Sequence, residues 1–183
     1  MSEHEHHHHR TVDTTGIPGR HFCVNDGTRL TIHEIEGRPL EACDHCGWVL
    51  WRDPKLATAT LLLDGGGGLV LGRRATEPAY GDWCLPGGFV NDDEHPATSA
   101  ARECREEVGC EVVVDGLVGA YHVPKADAAS MVVLGYLARL RDGARPVPGP
   151  EMLEVASFAL DRVPRLAFSS HREALADWLA HRR

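Results

Sequence analysis

Gly88 to Cys110 reads GFVNDDEHPATSAARECREEVGC, and this stretch decides the fold. Pro96 suits the first position of a helix, with His95 or Asp93 before it as the cap. Ala97, Ala100, Ala101, Cys104 and Val108 recur at helical spacing and form one apolar face. Gly109 is a natural helix stop. Glu103, Glu106 and Glu107 stand at i, i+3 and i+4, so three carboxylates share one patch. They fall in the last turns, where the helix dipole disfavours acids by about 0.3–1 kcal/mol each. A helix built only for stability would not collect acids there. A hard divalent cation, held by oxygen ligands and bridging to substrate phosphates, would relieve the repulsion. The plain alternative is a solvated acidic face paired with Arg102 and Arg105, which leaves the glycines and the preceding loop unexplained.

The same stretch fits the pattern G-x5-E-x7-R-E-U-x-E-E-x-G-U, where U is bulky and apolar, through Gly88, Glu94, Arg102, Glu103, Glu106, Glu107 and Gly109. Seven specified residues at a usage of roughly 5–7% each would coincide by chance in under about one in a million chains of this length. It resembles the signature of the Nudix hydrolases, which cleave a diphosphate joined to another moiety. The two U positions depart from the pattern, being Cys104 and Cys110. Buried cysteine behaves as a small hydrophobe, so the departure bears on packing more than on chemistry.

Outward from the box, the chain of 183 residues suits one medium domain with a small appendage. Its 43% hydrophobic content can bury a core. No apolar run approaches the ~20 residues of a membrane helix, and no signal-peptide pattern opens the chain. The expectation is therefore a soluble cytoplasmic protein with no membrane contact. A net charge of −8 argues against non-specific nucleic-acid binding. An acidic enzyme acting on anionic nucleotides would rely on metals and a few placed arginines. The start, MSEHEHHHHR, is histidine-rich without apolar content, and residues 1–19 are expected to form an unstructured tail.

Residues 20–55 carry Cys23 and then Cys43-Asp44-His45-Cys46-Gly47, half of a zinc-ribbon motif of the form C-x2-C-G. The other half is altered, with Asp26 where a second cysteine would stand. The segment, with its Trp51-Arg52-Asp53-Pro54-Lys55 run, resembles the small zinc ribbon that precedes some Nudix domains. Three thiolates and Asp26 could hold Zn2+, with His21, His33 or His45 as other fourth ligands; a vestigial ribbon held by packing alone is the alternative. Residues 21–56 hold four basic and six acidic side chains, so they offer no phosphate-tracking patch. A structural or dimer-contact role follows, and a homodimer is a possible assembly. The six cysteines do not read as a disulfide framework.

Residues 56–183 are expected to form the hydrolase domain. Ala57–Leu63 and Leu69–Arg73 read as strands around the turn Asp64-Gly65-Gly66-Gly67-Gly68. Further strands are expected at Glu111–Val114, Leu117–Val123, Met131–Leu140 and Glu154–Leu160, with a closing helix at Ser170–Arg182. With the resemblance, this implies an α/β class: a Nudix α/β/α sandwich with a mixed sheet, preceded by a zinc-ribbon-like β module. The resemblance further implies that Gly88 offers its carbonyl to a metal. Glu103, Glu106 and Glu107 would ligate Mg2+ or Mn2+, Arg102 would orient a box carboxylate, and Glu94 would brace Arg102 or a metal-bound water. The general base is Glu103 or an acid outside the box, Glu151 or Glu154. Arg73 and Arg74 are candidate phosphate clamps. Tyr80, Trp83, Phe89 and Tyr121 are candidates for stacking on a base, Tyr80 first. His122 is taken as structural.

The resemblance covers about residues 21–180 and is nearest to a subgroup that includes FAD and ADP-ribose pyrophosphatases. No Ser-Gln-Pro-Trp-Pro-Phe-Pro run follows the box, which sets the chain apart from NADH pyrophosphatases. It implies hydrolysis of ADP-ribose or FAD to AMP plus ribose 5-phosphate or FMN. NADH, a sugar nucleotide or a specialised diphosphate is the alternative. A nucleotide-sensing regulator and a zinc-dependent interaction module are the readings outside catalysis.

Overall fold

The computed structural model describes residues 21–124 and 129–182. The histidine-rich start lies outside the described residues. The chain divides into two compact units, residues 21–53 with residue 129, and residues 54–124 with 130–182. Among the described residues, no helix is long and apolar enough to cross a membrane.

The smaller unit is a three-stranded antiparallel sheet of β1 (Thr31–Ile35), β2 (Arg38–Ala42) and β3 (Val49–Leu50). Glu36 and Gly37, both at positive φ, turn β1 into β2. Its small core holds Cys23, Leu30 and Cys43, with Trp48 and Leu50 packed against them.

The larger unit is built on a mixed six-stranded sheet. Its strands are β4 (Lys55–Leu63), β5 (Leu69–Arg74), β6 (Trp83–Cys84), β7 (Val112–Val123), β8 (Met131–Leu140) and β9 (Met152–Phe158). They run in the order β6-β5-β4-β8-β7, with β9 on β5. β4 and β8 are parallel; the other pairs are antiparallel. Helix α1 (Pro96–Val108) packs on one face through Cys104 and Val108 against Leu62, Val70 and Ala138. Helix α2 (Ser169–His181) packs on the other through Ala174 and Trp178 against Ala57, Ala59, Leu61 and Val133. The period of two along β4 sends neighbouring residues to opposite faces, which makes one strand serve both layers. This is an α/β/α sandwich with a mixed sheet.

One sequence expectation changes here. The two strands expected at Glu111–Val114 and Leu117–Val123 are one strand, β7, with bulges between Val114 and Gly116 and between Leu117 and Gly119. Asp115-Gly116 looks like a turn, but Asp115 takes a two-pronged bond from Arg139 on β8 at 2.8 and 2.8 Å, and the chain continues. Cys104 and Cys110 are buried in the α1 layer, where burial pushes the Cys104 thiol up to about 12. They serve as the small hydrophobes that the box positions require.

Candidate active site

The site begins with a loop that replaces a strand. β5 pairs with β4 only at Leu62 and Leu63, and Leu85–Val90 runs beside the rest of β4. The Thr60 amide donates to the Pro86 carbonyl at 2.7 Å, that of Thr58 to Gly88 at 2.8 Å, and that of Val90 to Leu56 at 3.0 Å. A Cβ on Gly87 would overlap the Thr58 carbonyl, so only glycine lets the loop lie this close. A Cβ on Gly88 would stand 2.5 Å from Glu103 Oε1, which shows how closely that carboxylate covers the loop. The Gly88 carbonyl has one of its two acceptor positions engaged by Thr58.

α1 then carries the acids to this loop. Pro96 is its first residue, the His95 side chain accepts from the Ala97 amide at 3.2 Å, and Gly109 closes it at φ 66°. Helical spacing puts the three acids on one side, but burial separates them. Glu107 is 6% exposed, whereas Glu106 is solvent-facing. Glu107 Oε2 accepts from the Gly87 amide at 2.8 Å. Burial above all, with repulsion from Glu103 and Glu151, pushes Glu107 up to about 8. Glu103 is also raised, by burial first.

Arg102 is the cation that holds the arrangement. It donates to both oxygens of Glu94, at 3.1 and 2.7 Å, to Glu103 at 2.8 Å and to Glu106 at 3.1 Å. It also binds the Phe89 carbonyl at 3.0 Å, which ties helix to loop. The guanidinium holds Glu94 down at about 2. Glu94 therefore stays ionised beside Arg102.

The segment before β9 closes the C-terminal end of α1. Amides of Val147 and Gly149 donate to the Val108 and Glu107 carbonyls at 3.0 and 2.9 Å. A Cβ on Gly149 would overlap the Glu106 carbonyl. This contact brings Glu151 beside Glu103 and Glu107, where it raises both. Glu154, the other outside acid, instead pairs across the sheet with Arg73 at 3.8 Å. The structure thus gathers Glu103, Glu106, Glu107, Glu94, Arg102, Gly88 and Glu151, and turns Glu154 to a strand neighbour.

Beside the loop, on the α2 side, lies a cleft of ≈180 Å³ with Arg74, Gly87, Gly88, Phe89, Phe168 and His171 on its walls. Arg74 lies over the Phe168 ring at 5.2 Å. The other sequence candidates for substrate contact do not line this cleft. Trp83 packs edge-on against Phe158, 4.9 Å between centroids, because the short strand β6 places its ring on the core. Tyr121 is buried and bonded to Asp177, Tyr80 is exposed, and Arg73 is turned to Gly81 and Glu154. His122 is exposed on β7. His171 and Phe168 were missed by sequence reasoning. The available signal was a polar Ser-Ser-His start to the closing helix, which a reading for apolar spacing passes over.

In the smaller unit, two knuckles share one backbone form. The amide of Gly27 returns to the Cys23 carbonyl and that of Gly47 to the Cys43 carbonyl, both at 2.9 Å. Asp26 occupies in the first the place that Cys46 has in the second. Ligand atoms of Cys23, Asp26, Cys43 and Cys46 all lie within 4.8 Å of one another, with Cys23 Sγ 3.4 Å from Cys46 Sγ. Edges of roughly 3.8 Å are what a tetrahedron with Zn–S near 2.3 Å requires, so the donor set fits zinc. Among the described residues, this is the one such converging group. His21 and His33 are bonded to Glu41 and Asp44, and His45 to Asp26 at 2.9 Å.

A helix-borne acid cluster set against a glycine loop on a mixed sheet defines a Nudix pyrophosphohydrolase site. The chain belongs to the Nudix family: the NUDIX domain matches residues 53–179. A relative named ADP-ribose pyrophosphatase, from Methanocaldococcus jannaschii, is 28% identical over 89% of this chain and 93% of its own length. A NAD-capped RNA hydrolase NudC from Pseudomonas aeruginosa is 34% identical over 82% of this chain, which spans 52% of that protein. The crystal structure of a Nudix hydrolase from Nitrosomonas europaea superposes with a TM-score of 0.77 at 29% identity, covering 88% of this chain and 91% of that one.

Proposed function

We propose that the protein hydrolyses ADP-ribose to AMP and ribose 5-phosphate, using Mg2+ or Mn2+. The observation that carries the reading is the set of mutually repelling acids, Glu103, Glu107 and Glu151, around the Gly87–Gly88 cradle. Such a set fits a hard cation by its donor chemistry. Glu103, Glu106 and Glu107, with the Gly88 carbonyl, would hold it. When bound, the ion polarises the diphosphate, lowers the pKa of a water and offsets charge on the leaving phosphate.

The chain's own groups do the rest. Glu94 fixes Arg102, and Arg102 aims Glu103 and Glu106. Glu103 and Glu151 are the candidate bases, since both face the buried acid cluster. Glu154 is the weaker candidate because Arg73 engages it. Arg74 stands between the cleft and Glu107, where it can meet a phosphate oxygen. In the smaller unit, Cys23, Asp26, Cys43 and Cys46 would hold a structural Zn2+.

ADP-ribose is favoured by the relative of nearly equal length that carries that name. The NudC relatives support a second reading, an NAD-type dinucleotide or the NAD cap of an RNA, although they are about twice as long as the shared region. Mass-spectrometric product analysis over ADP-ribose, FAD, NADH, NAD and UDP-sugars distinguishes them. The expected result is AMP and ribose 5-phosphate from ADP-ribose, abolished in Glu107→Gln. Nicotinamide mononucleotide as the main product would transfer the assignment to the second reading. No turnover of any diphosphate would sink both.

A further inference from the structure

We propose that His171 is a specificity-determining residue, whose Nε2–H donates to an acceptor atom on the ring system of the substrate's nucleoside. The inference rests on the nucleotide-hydrolase reading and extends it to one side chain and one hydrogen bond.

The argument starts from the tautomer. The Leu85 amide donates to His171 Nδ1 at 3.2 Å, so Nδ1 carries no proton. His171 is 8% exposed, and burial, followed by the positive charges of Arg74 and Arg172, pushes its pKa down to about 3. The ring is therefore neutral across the working range, and its proton sits on Nε2. Nothing among the described residues bonds to Nε2. His171 is on the cleft wall, and Nε2–H is the polar group it offers there. Among the described residues the buried polar side-chain atoms without a partner are Thr58 Oγ1 and Thr60 Oγ1, so Nε2 keeps access to solvent, and a donor open to the cleft is free to meet a ligand there.

The remaining walls say what that ligand is. Val123, Met131 and Val133 give an apolar surface, and Phe168 meets His171 edge to face at 5.0 Å. At ≈180 Å³ the cleft is smaller than the about 300–1,000 Å³ of drug-sized pockets, so it takes one ring system rather than a whole dinucleotide. Gly87 and Gly88 also line it and border the acid cluster, Gly87 through its bond to Glu107 and Gly88 through its close approach to Glu103. A nucleoside seated in the cleft would therefore have its diphosphate directed to those acids. With Nδ1 engaged, His171 can donate and cannot accept. The chosen ring must present an acceptor, as adenine does through its ring nitrogens.

Two substitutions separate this role from a structural one. In His171→Asn, the amide oxygen reproduces the Nδ1 acceptor for Leu85 but lacks the distal donor. In His171→Gln, a donor is restored near Nε2. The expected result with ADP-ribose is a KM about tenfold higher for His171→Asn, with kcat and melting midpoint unchanged. His171→Gln should lie within about threefold of the parent. Equal KM values for the parent and His171→Asn would overturn the proposal while hydrolysis stands. Inactive parent protein would instead overturn the hydrolase reading. AMP titration followed by imidazole 15N NMR then tests His171 by itself. Perturbation of Nε2 with Nδ1 unmoved supports the role, and an unmoved Nε2 overturns it. The NMR arm uses unmodified protein and so survives misfolding of either variant.

Discussion

The knuckles of the smaller unit and the acid cluster of the larger one are two ways to gather groups that could hold a metal ion. In the knuckles, two matching backbone turns bring four ligand atoms within 4.8 Å of one another. In the box, the acids are held from outside, by Arg102 and by the Gly87 amide, and they repel one another. The first geometry would suit a permanently held ion. The second keeps charge poorly satisfied, which a structural site would avoid and a catalytic one can use. Removing a ligand should therefore weaken the first region and relax the second.

The largest expected effect is in Glu107→Gln, with a turnover loss of about 10³-fold. Its folded pKa of about 8 lies above the unfolded value near 4.3, so ionisation opposes folding. Stability from this group is full below pH ~4.3 and is lost as pH rises through about 8. In chelator at pH 9, Glu107→Gln should melt at least about 3 °C higher than the parent, and at pH 4 no higher. A lower midpoint at pH 9 would break the comparison.

Arg102→Met comes next. It leaves Glu94, Glu103 and Glu106 without their cation and should cost about 2–3 kcal/mol in a urea titration, with roughly 10²-fold lower turnover. Glu94, held at about 2, dictates the pH signature. Its contribution is present above the unfolded pKa and fades as pH falls through about 2, so the two proteins should converge in acid.

Cys43→Ser should abolish zinc in elemental analysis and leave kcat/KM per folded molecule within about twofold. A parallel fall in activity would show that the knuckles serve catalysis. The smallest effect belongs to Asp26→Cys, which matches the two knuckles. It should tighten zinc by roughly tenfold, read by competition with a chromogenic chelator, and leave turnover unaltered.

What the sequence made legible follows the same division. The box could be read because helical spacing alone brings Glu103, Glu106 and Glu107 together, and Pro96 and Gly109 set the helix ends. Their unequal burial was not readable, since it depends on how α1 sits on a sheet made by distant segments. For the same reason Glu154, close to Glu151 in sequence, faces Arg73: it is paired within β9, whereas Glu151 lies in the turn before that strand. Trp83 is one of four aromatic candidates for base stacking in the sequence, and the pairing of β6, invisible there, sets its ring against Phe158. His171 lies on the last helix, and its meaning arises only when Leu85 arrives as a partner.

The contact of Val147 and Gly149 with the end of α1 has a consequence during synthesis. On the ribosome, the helix with its complete set of box acids emerges before the residues that cap it. A nascent chain of that length holds the acids without the amides that close the last turn, and without Glu151 beside them. On the proposed mechanism, the catalytic centre is completed by chain elongation itself. A polypeptide interrupted in the loop after β8 would present the full signature to any reader of its sequence and be inert toward nucleotides.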